Sequence, residues 1–292
     1  MSLHLEMLQV ARLAPKQLGE AADLINDFVR SSQTADGGFG DRDGNADVYY
    51  TWFGIACLIA LHQPLPEDGL RRFTTELADG EGLDFVHLTS LIRCRASLSE
   101  PISDAESAAF AARLEAFRAE DGGFHHAELG NPVTSAYGAM LGLGALQDLG
   151  REHQTGPLAH VLSCMQTEDG AYANEPGMPV GSTNATAAAI TTLRNLGIDV
   201  SQPAADWLFA RHYARGGFFA VPAAPIPDLL STATALHALS GMRQDLRRVR
   251  EPCLDYLDSL WSSQGGFFGH WAEEALDCEY SYYGLLALGH LA

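Results

Sequence analysis

Two kinds of apolar segment alternate along the chain. The first keeps its apolar residues on one helical face. In 103–118, Phe110, Leu114 and Phe117 recur at helical spacing among charged residues. Ser103 and Glu106 there form the S-x-x-E pattern in which each side chain caps the other's backbone amide. The second kind is apolar on nearly every face and rich in Ala, Leu and Gly: 47–61, 84–98, 131–146, 182–196, 228–239 and 277–291. The pattern predicts half-exposed helices from the first kind and buried helices from the second. Every buried segment opens on Asp, Asn or Ser, residues whose side-chain oxygen accepts from the free amides of a first helical turn. Period-two alternation is scarce, so an all-α protein is expected.

The two kinds of segment are joined by a recurrent turn. Gly-Gly or Gly-Ala followed by an aromatic occurs as Gly37-Gly38-Phe39, Gly122-Gly123-Phe124, Gly170-Ala171-Tyr172, Gly216-Gly217-Phe218 and Gly265-Gly266-Phe267, with aromatic-to-aromatic steps of 85, 48, 46 and 49 residues. The long first step contains a degenerate copy, Asp79-Gly80-Glu81-Gly82-Leu83. Six units of about 49 residues therefore account for the chain, a period typical of stacked helical repeats. The expected architecture is a double ring of twelve helices around a central apolar cavity, in one domain spanning 1–292. Residues 47, 84, 131, 182, 228 and 277 should lie near inner-helix N-termini at one end.

Composition narrows the function. The 292 residues are 47% hydrophobic and 19% charged, and 18 Lys+Arg against 37 Asp+Glu give a net charge of −19. With one lysine, Lys16, and no basic cluster, neither nucleic acid nor an anionic membrane surface is an expected partner. No apolar run approaches the ~20 residues a membrane span needs. Acidic and basic residues interrupt 1–12, so no signal peptide is read there. The five cysteines lack any C-x-x-C pair, which leaves a reducing cytoplasm as the expected location. A G-x-S-x-G elbow, a P-loop and a dinucleotide fingerprint are all missing from the sequence.

The string Gln33-Thr34-Ala35-Asp36-Gly37-Gly38-Phe39, repeated as Gln166-Thr167-Glu168-Asp169-Gly170-Ala171-Tyr172 and shortened as Gln264-Gly265-Gly266-Phe267, resembles the Q-x-x-D-G-G-F/W repeat of the prenyltransferase and squalene-cyclase superfamily. The resemblance implies an (α/α)6 toroid that binds an isoprenoid or other apolar small molecule and carries out carbocation-type transfer or cyclisation. Squalene-type cyclases use two such barrels. This chain has the length of one, like a protein-prenyltransferase β-subunit, and such subunits work with a separate helical protein partner. Their zinc is held by D-x-C in the fifth unit and a His in the sixth. Here Asp228 keeps the Asp, while Leu230 and Tyr280 stand at the other two positions, so no zinc cofactor is expected. The apolar loop 218–226 also lacks the family's diphosphate-binding Arg and Lys. The D-x-D-D acid of the cyclases is likewise replaced at Leu230, but the sixth unit offers Asp277-x-Glu279.

Asp47, Asp84, Asp228 and Asp277 all occupy N-cap positions, and capping alone accounts for them. Glu279 falls two residues further on, in a slot that reads Tyr49, Val86, Val133, Asn184 and Leu230 in the other units, so the helix does not demand a carboxylate there. Glu279 is the candidate catalytic acid and Asp277 its partner, since neighbouring carboxyls raise each other's proton affinity. Candidate substrate-binding residues are Tyr49, Tyr50, Phe53, Tyr137, Asp228, Tyr280 and Tyr283. Tyrosine and phenylalanine faces stabilise cations, although buried aromatics also serve simply as core. Trp52 and Tyr282 add to the same clusters. His125-His126 with Glu128, and His270 with Glu273 and Glu274, match no established metal-ligand spacing. Arg71-Arg72 and Arg247-Arg248 with Arg250 read as solvated helix faces. The alternatives to an enzyme are an isoprenoid or lipid binder without catalysis and a toroid that serves subunit assembly.

Overall fold

The apolar segments become helices because each starts on a side chain that satisfies its first turn. The computed structural model describes residues 2–127, 129–151 and 155–292. In chain order its elements are α1 (Leu3–Ala11), α2 (Pro15–Leu18), α3 (Ala21–Ser31), β1 (Phe39–Gly40), β2 (Ala46–Asp47), α4 (Val48–Ala60), α5 (Glu67–Glu76), α6 (Phe85–Ser97), α7 (Asp104–Glu115), α8 (Ala136–Asp148), α9 (Thr155–Cys164), α10 (Thr183–Asn195), α11 (Gln202–Phe209), α12 (Leu229–Gly241), α13 (Arg247–Ser259), β3 (Trp261–Ser262), β4 (Gly266–Phe267) and α14 (Cys278–Leu291). Asp47, Asp84, Ser135, Ser182, Asp228 and Asp277 each accept a hydrogen bond from the backbone N–H three residues on, capping α4, α6, α8, α10, α12 and α14.

These capped helices form a closed inner ring. α4 packs on α6, α6 on α8, α8 on α10, α10 on α12, α12 on α14, and α14 back on α4. α3, α5, α7, α9, α11 and α13 lie outside, each against an inner helix. The fold is an all-α toroid, and among the described residues its sheet is limited to two-residue antiparallel pairs, β1 with β2 and β3 with β4. The capping box of Ser103 and Glu106 opens α7 as its sequence suggests. Among the described residues no helix is long and apolar enough to cross a membrane.

The repeated turn locks the rings together. Its first glycine has φ between 92° and 99° at Gly37, Gly122, Gly170, Gly216 and Gly265, a conformation that side chains disfavour. The aromatic that follows then turns inward. The N–H of Phe39, Tyr172 and Phe218 donates to Thr51, Thr186 and Thr232 Oγ1 at 2.8–2.9 Å. The ring presses onto a small residue one turn deeper: a Cβ on Gly54, Gly142 or Gly284 would stand 2.5, 2.2 or 2.5 Å from Phe39, Phe124 or Phe267. This close approach accounts for the Gly and Ala richness of the inner helices.

One expectation is corrected. The cap of α8 is Ser135, and Asn131 lies four residues upstream in a loop. Asn131 accepts instead from the Val133 N–H at 3.0 Å, and the Thr134 N–H is taken by Asp121 at 2.8 Å, so helix starts only after both. The N-terminal α1 precedes both rings and belongs to neither. It packs against α14, α4, α8 and α10 at the C-terminal end of the inner helices. Leu3 N–H donates to Gln147 Oε1 at 2.9 Å, His4 Nδ1 lies 2.5 Å from Asp148 Oδ1, and Arg194 donates to Glu6 Oε1 at 3.1 Å. Leu3, Leu8 and Ala11 are buried, so α1 plugs that end of the ring.

Candidate functional site

The corrected register of α8 makes the inner ring regular. Two residues after each cap come Tyr49, Val86, Tyr137, Asn184, Leu230 and Glu279, all partly exposed. All six line the lumen near the capped end of the ring, and Tyr137 takes the slot assigned to Val133. Below them is a cavity of about 320 Å³ walled by Met140, Ala187, Ala188, Thr234 and Tyr283 and floored by Met7 of α1 and by His237. A smaller recess of about 50 Å³ opens beside it between Trp52, Phe53, Arg93 and Tyr282. The lining is mostly apolar and aromatic, and Tyr49 meets Phe53 edge-on with ring centres 4.9 Å apart.

Glu279 is the carboxyl of this lumen. Its Oε1 accepts from the Tyr49 hydroxyl at 2.6 Å. Burial is the main force on its proton, aided by the negative charge of Asp277 and opposed by the Tyr49 bond and Arg42, and together they push its pKa up to about 7. Asp277 itself is only 4% exposed. Its Oδ1 accepts from the Tyr280 N–H at 2.8 Å and its Oδ2 from Arg42 Nε at 2.9 Å. Both oxygens are thus engaged elsewhere, and Asp277 acts on Glu279 through its field. Burial raises the Asp277 pKa despite these bonds.

Two cations stand at the mouth, and both are neutralised. Arg42, in the loop after β1, also reaches Glu273 at 3.2 Å and lies 5.3 Å from the centre of the Tyr280 ring. His87 bridges Asp47 Oδ2 at 3.2 Å and Asp84 Oδ1 at 2.8 Å. The bond to Asp47 leads in raising the His87 pKa to about 9, against burial and with help from Asp84. Asp47 and Asp84 therefore cap their helices and hold a charged imidazole. Nothing in the sequence marked Arg42 or His87, whose partners are remote in the chain or share their residue types with ordinary caps.

The residues expected to bind substrate divide into two groups. Tyr49, Phe53, Tyr137 and Tyr283 line the lumen. Tyr50 and Tyr280 instead sit at the mouth beside Arg42. Asp228 is half-buried as the cap of α12, accepting from the Ser231 N–H at 2.7 Å, and its desolvation raises its pKa. The donor set around Asp228 does not fit the family's zinc. Leu230 offers no donor and faces the cavity, and the Tyr280 ring is covered by the Arg42 guanidinium. Among the described residues no group of three or more His, Cys, Asp or Glu is placed so that it could hold a metal ion. His125 lies 3.4 Å from Glu175, His126 is bonded to Ser135 at 2.8 Å, and Glu128 falls outside the described residues. His270 accepts from the Ala272 N–H, while Glu273 turns to Arg42.

A model of the prenyltransferase alpha-alpha toroid domain matches residues 5–87, 83–199 and 186–291. A comparison with curated proteins finds no match. Among solved structures, a type II terpene cyclase variant from Scytonema in complex with geranylgeranyl dihydroxybenzoate is similar at TM-score 0.64 and 14% identity, over 95% of this chain and 97% of that one. The protein geranylgeranyltransferase-I of Candida albicans complexed with GGPP reaches TM-score 0.70 at 14% identity, over 92% and 90%. A glycosidase variant in complex with glucose is also similar, at TM-score 0.56 and 14% identity over 97% of both chains. At these identities the likeness is one of fold.

Proposed function

The chain belongs to the prenyltransferase alpha-alpha toroid family, and from that premise we propose that its lumen binds a polyprene chain and that Glu279 protonates it to begin a cyclisation. One observation carries the proposal: Glu279, the one acid among the six slot residues, is only partly exposed, is hydrogen-bonded to Tyr49, and has its pKa pushed up to about 7, so that a large share of it keeps a transferable proton near neutral pH. With Oε1 occupied by the Tyr49 hydroxyl, Oε2 carries the acidic proton. An alkene carbon takes that proton with its π electrons, leaving a tertiary cation in the chain and a carboxylate on Glu279. Tyr49 then stabilises the carboxylate, while the faces of Tyr137, Phe53 and Tyr283 stabilise the cation and exclude water. Further alkenes attack in turn, and loss of a proton ends the cascade. Asp277 is a positioning residue: it caps α14, anchors Arg42 and keeps Glu279 proton-rich.

The apolar lining supports a polyprene over a sugar, which needs many polar partners. Transfer of a prenyl group is the weaker reading, because a leaving diphosphate needs free cations. At the mouth, Arg42 and His87 are each committed to two carboxylates. Closure of α14 on α4 supports treating 1–292 as one toroid of helical-pair repeats. The test is incubation with farnesyl diphosphate, geranylgeranyl diphosphate and squalene, with products analysed by mass spectrometry. Cyclised isomers that disappear in Glu279→Gln are expected. Prenyl transfer products, or cyclisation undiminished in Glu279→Gln, would refute the assignment.

A further inference from the structure

Among the described residues, Arg93 of α6 is the only Lys or Arg lining the cavity and its recess. Its guanidinium lies 5.7 Å from the centre of the Trp52 ring, and its Nε is buried with no hydrogen-bond partner. Arg42, Arg95, Arg113 and Arg194 each meet a carboxylate within 4.0 Å, whereas Arg93 meets none among the described residues. A cation in such a wall is costly, and an aromatic face offsets only part of that cost.

Its position relative to Glu279 gives the lumen a direction. Arg93 stands nine residues past the cap of α6 and Glu279 two past the cap of α14, so about 10 Å of helix axis separates their levels. Tyr137 and Tyr283 feel the charge of both, so both rings lie within reach of the acid and the cation. An acid stands near the mouth and a free cation at depth. The recess at Arg93 is about 50 Å³. By this measure one water needs roughly 10–15 Å³, so the recess has room for about three to five waters, enough for the three heavy atoms of a carboxylate and less than a diphosphate needs.

We propose that Arg93 anchors the carboxylate of the apolar substrate, so that the lumen selects polyprenoid acids over the corresponding alcohols and phosphate esters. The proposal rests on the lumen being a polyprene site, and it adds the class of head group. With the carboxylate on Arg93, the chain runs past Tyr137 and Tyr283 and presents its distal alkene to Glu279. No bond is made or broken at Arg93.

The test is calorimetric titration at pH 8 with farnesoic acid, farnesol and farnesyl monophosphate. A charge-assisted hydrogen bond in a dry site is worth tenfold or more in affinity. Wild type should therefore bind farnesoic acid at least about tenfold more tightly than farnesol. Arg93→Gln should bring the acid down to the affinity of farnesol and leave farnesol unchanged. Arg93→Lys should keep part of the preference. Equal affinities in wild type, a preference that survives Arg93→Gln, or tighter binding of the monophosphate than of the acid would overturn the proposal. If farnesol binds with no preference for the acid, the head-group assignment alone falls. If none of the three binds wild type, the polyprene reading falls with it.

Discussion

Glu279→Gln removes one ionisable group and keeps both the shape and the acceptor for the Tyr49 hydroxyl. In the unfolded chain this carboxyl ionises near its ordinary value of about 4.3, and in the fold burial pushes it up to about 7. Between those limits the folded state keeps a proton that the unfolded state has lost. Wild-type stability therefore falls as pH rises, by up to about 1.4 kcal/mol per pH unit, and levels off once both states are ionised. Tyr49, Asp277 and Arg42, which modify the shift after burial, are present in both proteins. The stability advantage of Glu279→Gln should thus grow by about 2 kcal/mol between pH 5.5 and pH 8. Urea denaturation of both proteins across that range, with each free energy taken from midpoint and slope, measures it. An advantage that stays constant with pH would show that Glu279 ionises at its ordinary value, and the proton-donor argument would fail with it.

His87 gives a second pH signature of the same sign, at higher pH. Its pKa is raised to about 9 by Asp47 and Asp84, so the stability it contributes is complete below about pH 6.5 and lost as pH passes 9. After allowance for its partial exposure, His87→Gln should cost about 1 kcal/mol at pH 6 and nothing at pH 10.5, and an equal cost at both would refute the bridge. Gly142→Ala sets a Cβ 2.2 Å from the Phe124 ring and should cost about 1–3 kcal/mol by urea denaturation. Gly156→Ala, with nothing within 4 Å, should cost nothing, and equal effects would contradict the turn packing. Ala188→Phe fills the cavity from its wall, so it should abolish farnesol binding while leaving the far-ultraviolet dichroism intact. Undiminished binding would place the ligand outside the lumen.

The fold was legible because its signals are local and repeated: a capping side chain, a glycine at positive φ, and an aromatic that finds a small residue on the next helix. Where one local signal competed with another, the reading slipped. Asn131 is a good cap by type, but Pro132 follows it and its oxygen closes a turn on Val133, so helix waits for Ser135. That offset put Val133 in the slot Tyr137 occupies. The segment 3–11 carries none of these repeated signals, and nothing in its periodicity says that it closes one end of the ring. Glu279 stood out because its slot is apolar or neutral in the other units. Arg42, His87 and Arg93 did not stand out, since each is a single residue whose role depends on distant neighbours. Arg42 and Asp277, for example, are 235 positions apart.

Protonation by Glu279 is tested most directly by turnover in deuterium oxide. Wild type incubated there with the polyprene panel, farnesoic acid included, should yield a cyclised product carrying one deuterium at the initiating carbon, because the exchangeable proton of Glu279 is replaced from solvent before each cycle. Glu279→Gln should yield none of that product. A cyclised product free of deuterium at that carbon, or labelled product formed at the wild-type rate by Glu279→Gln, would contradict the account.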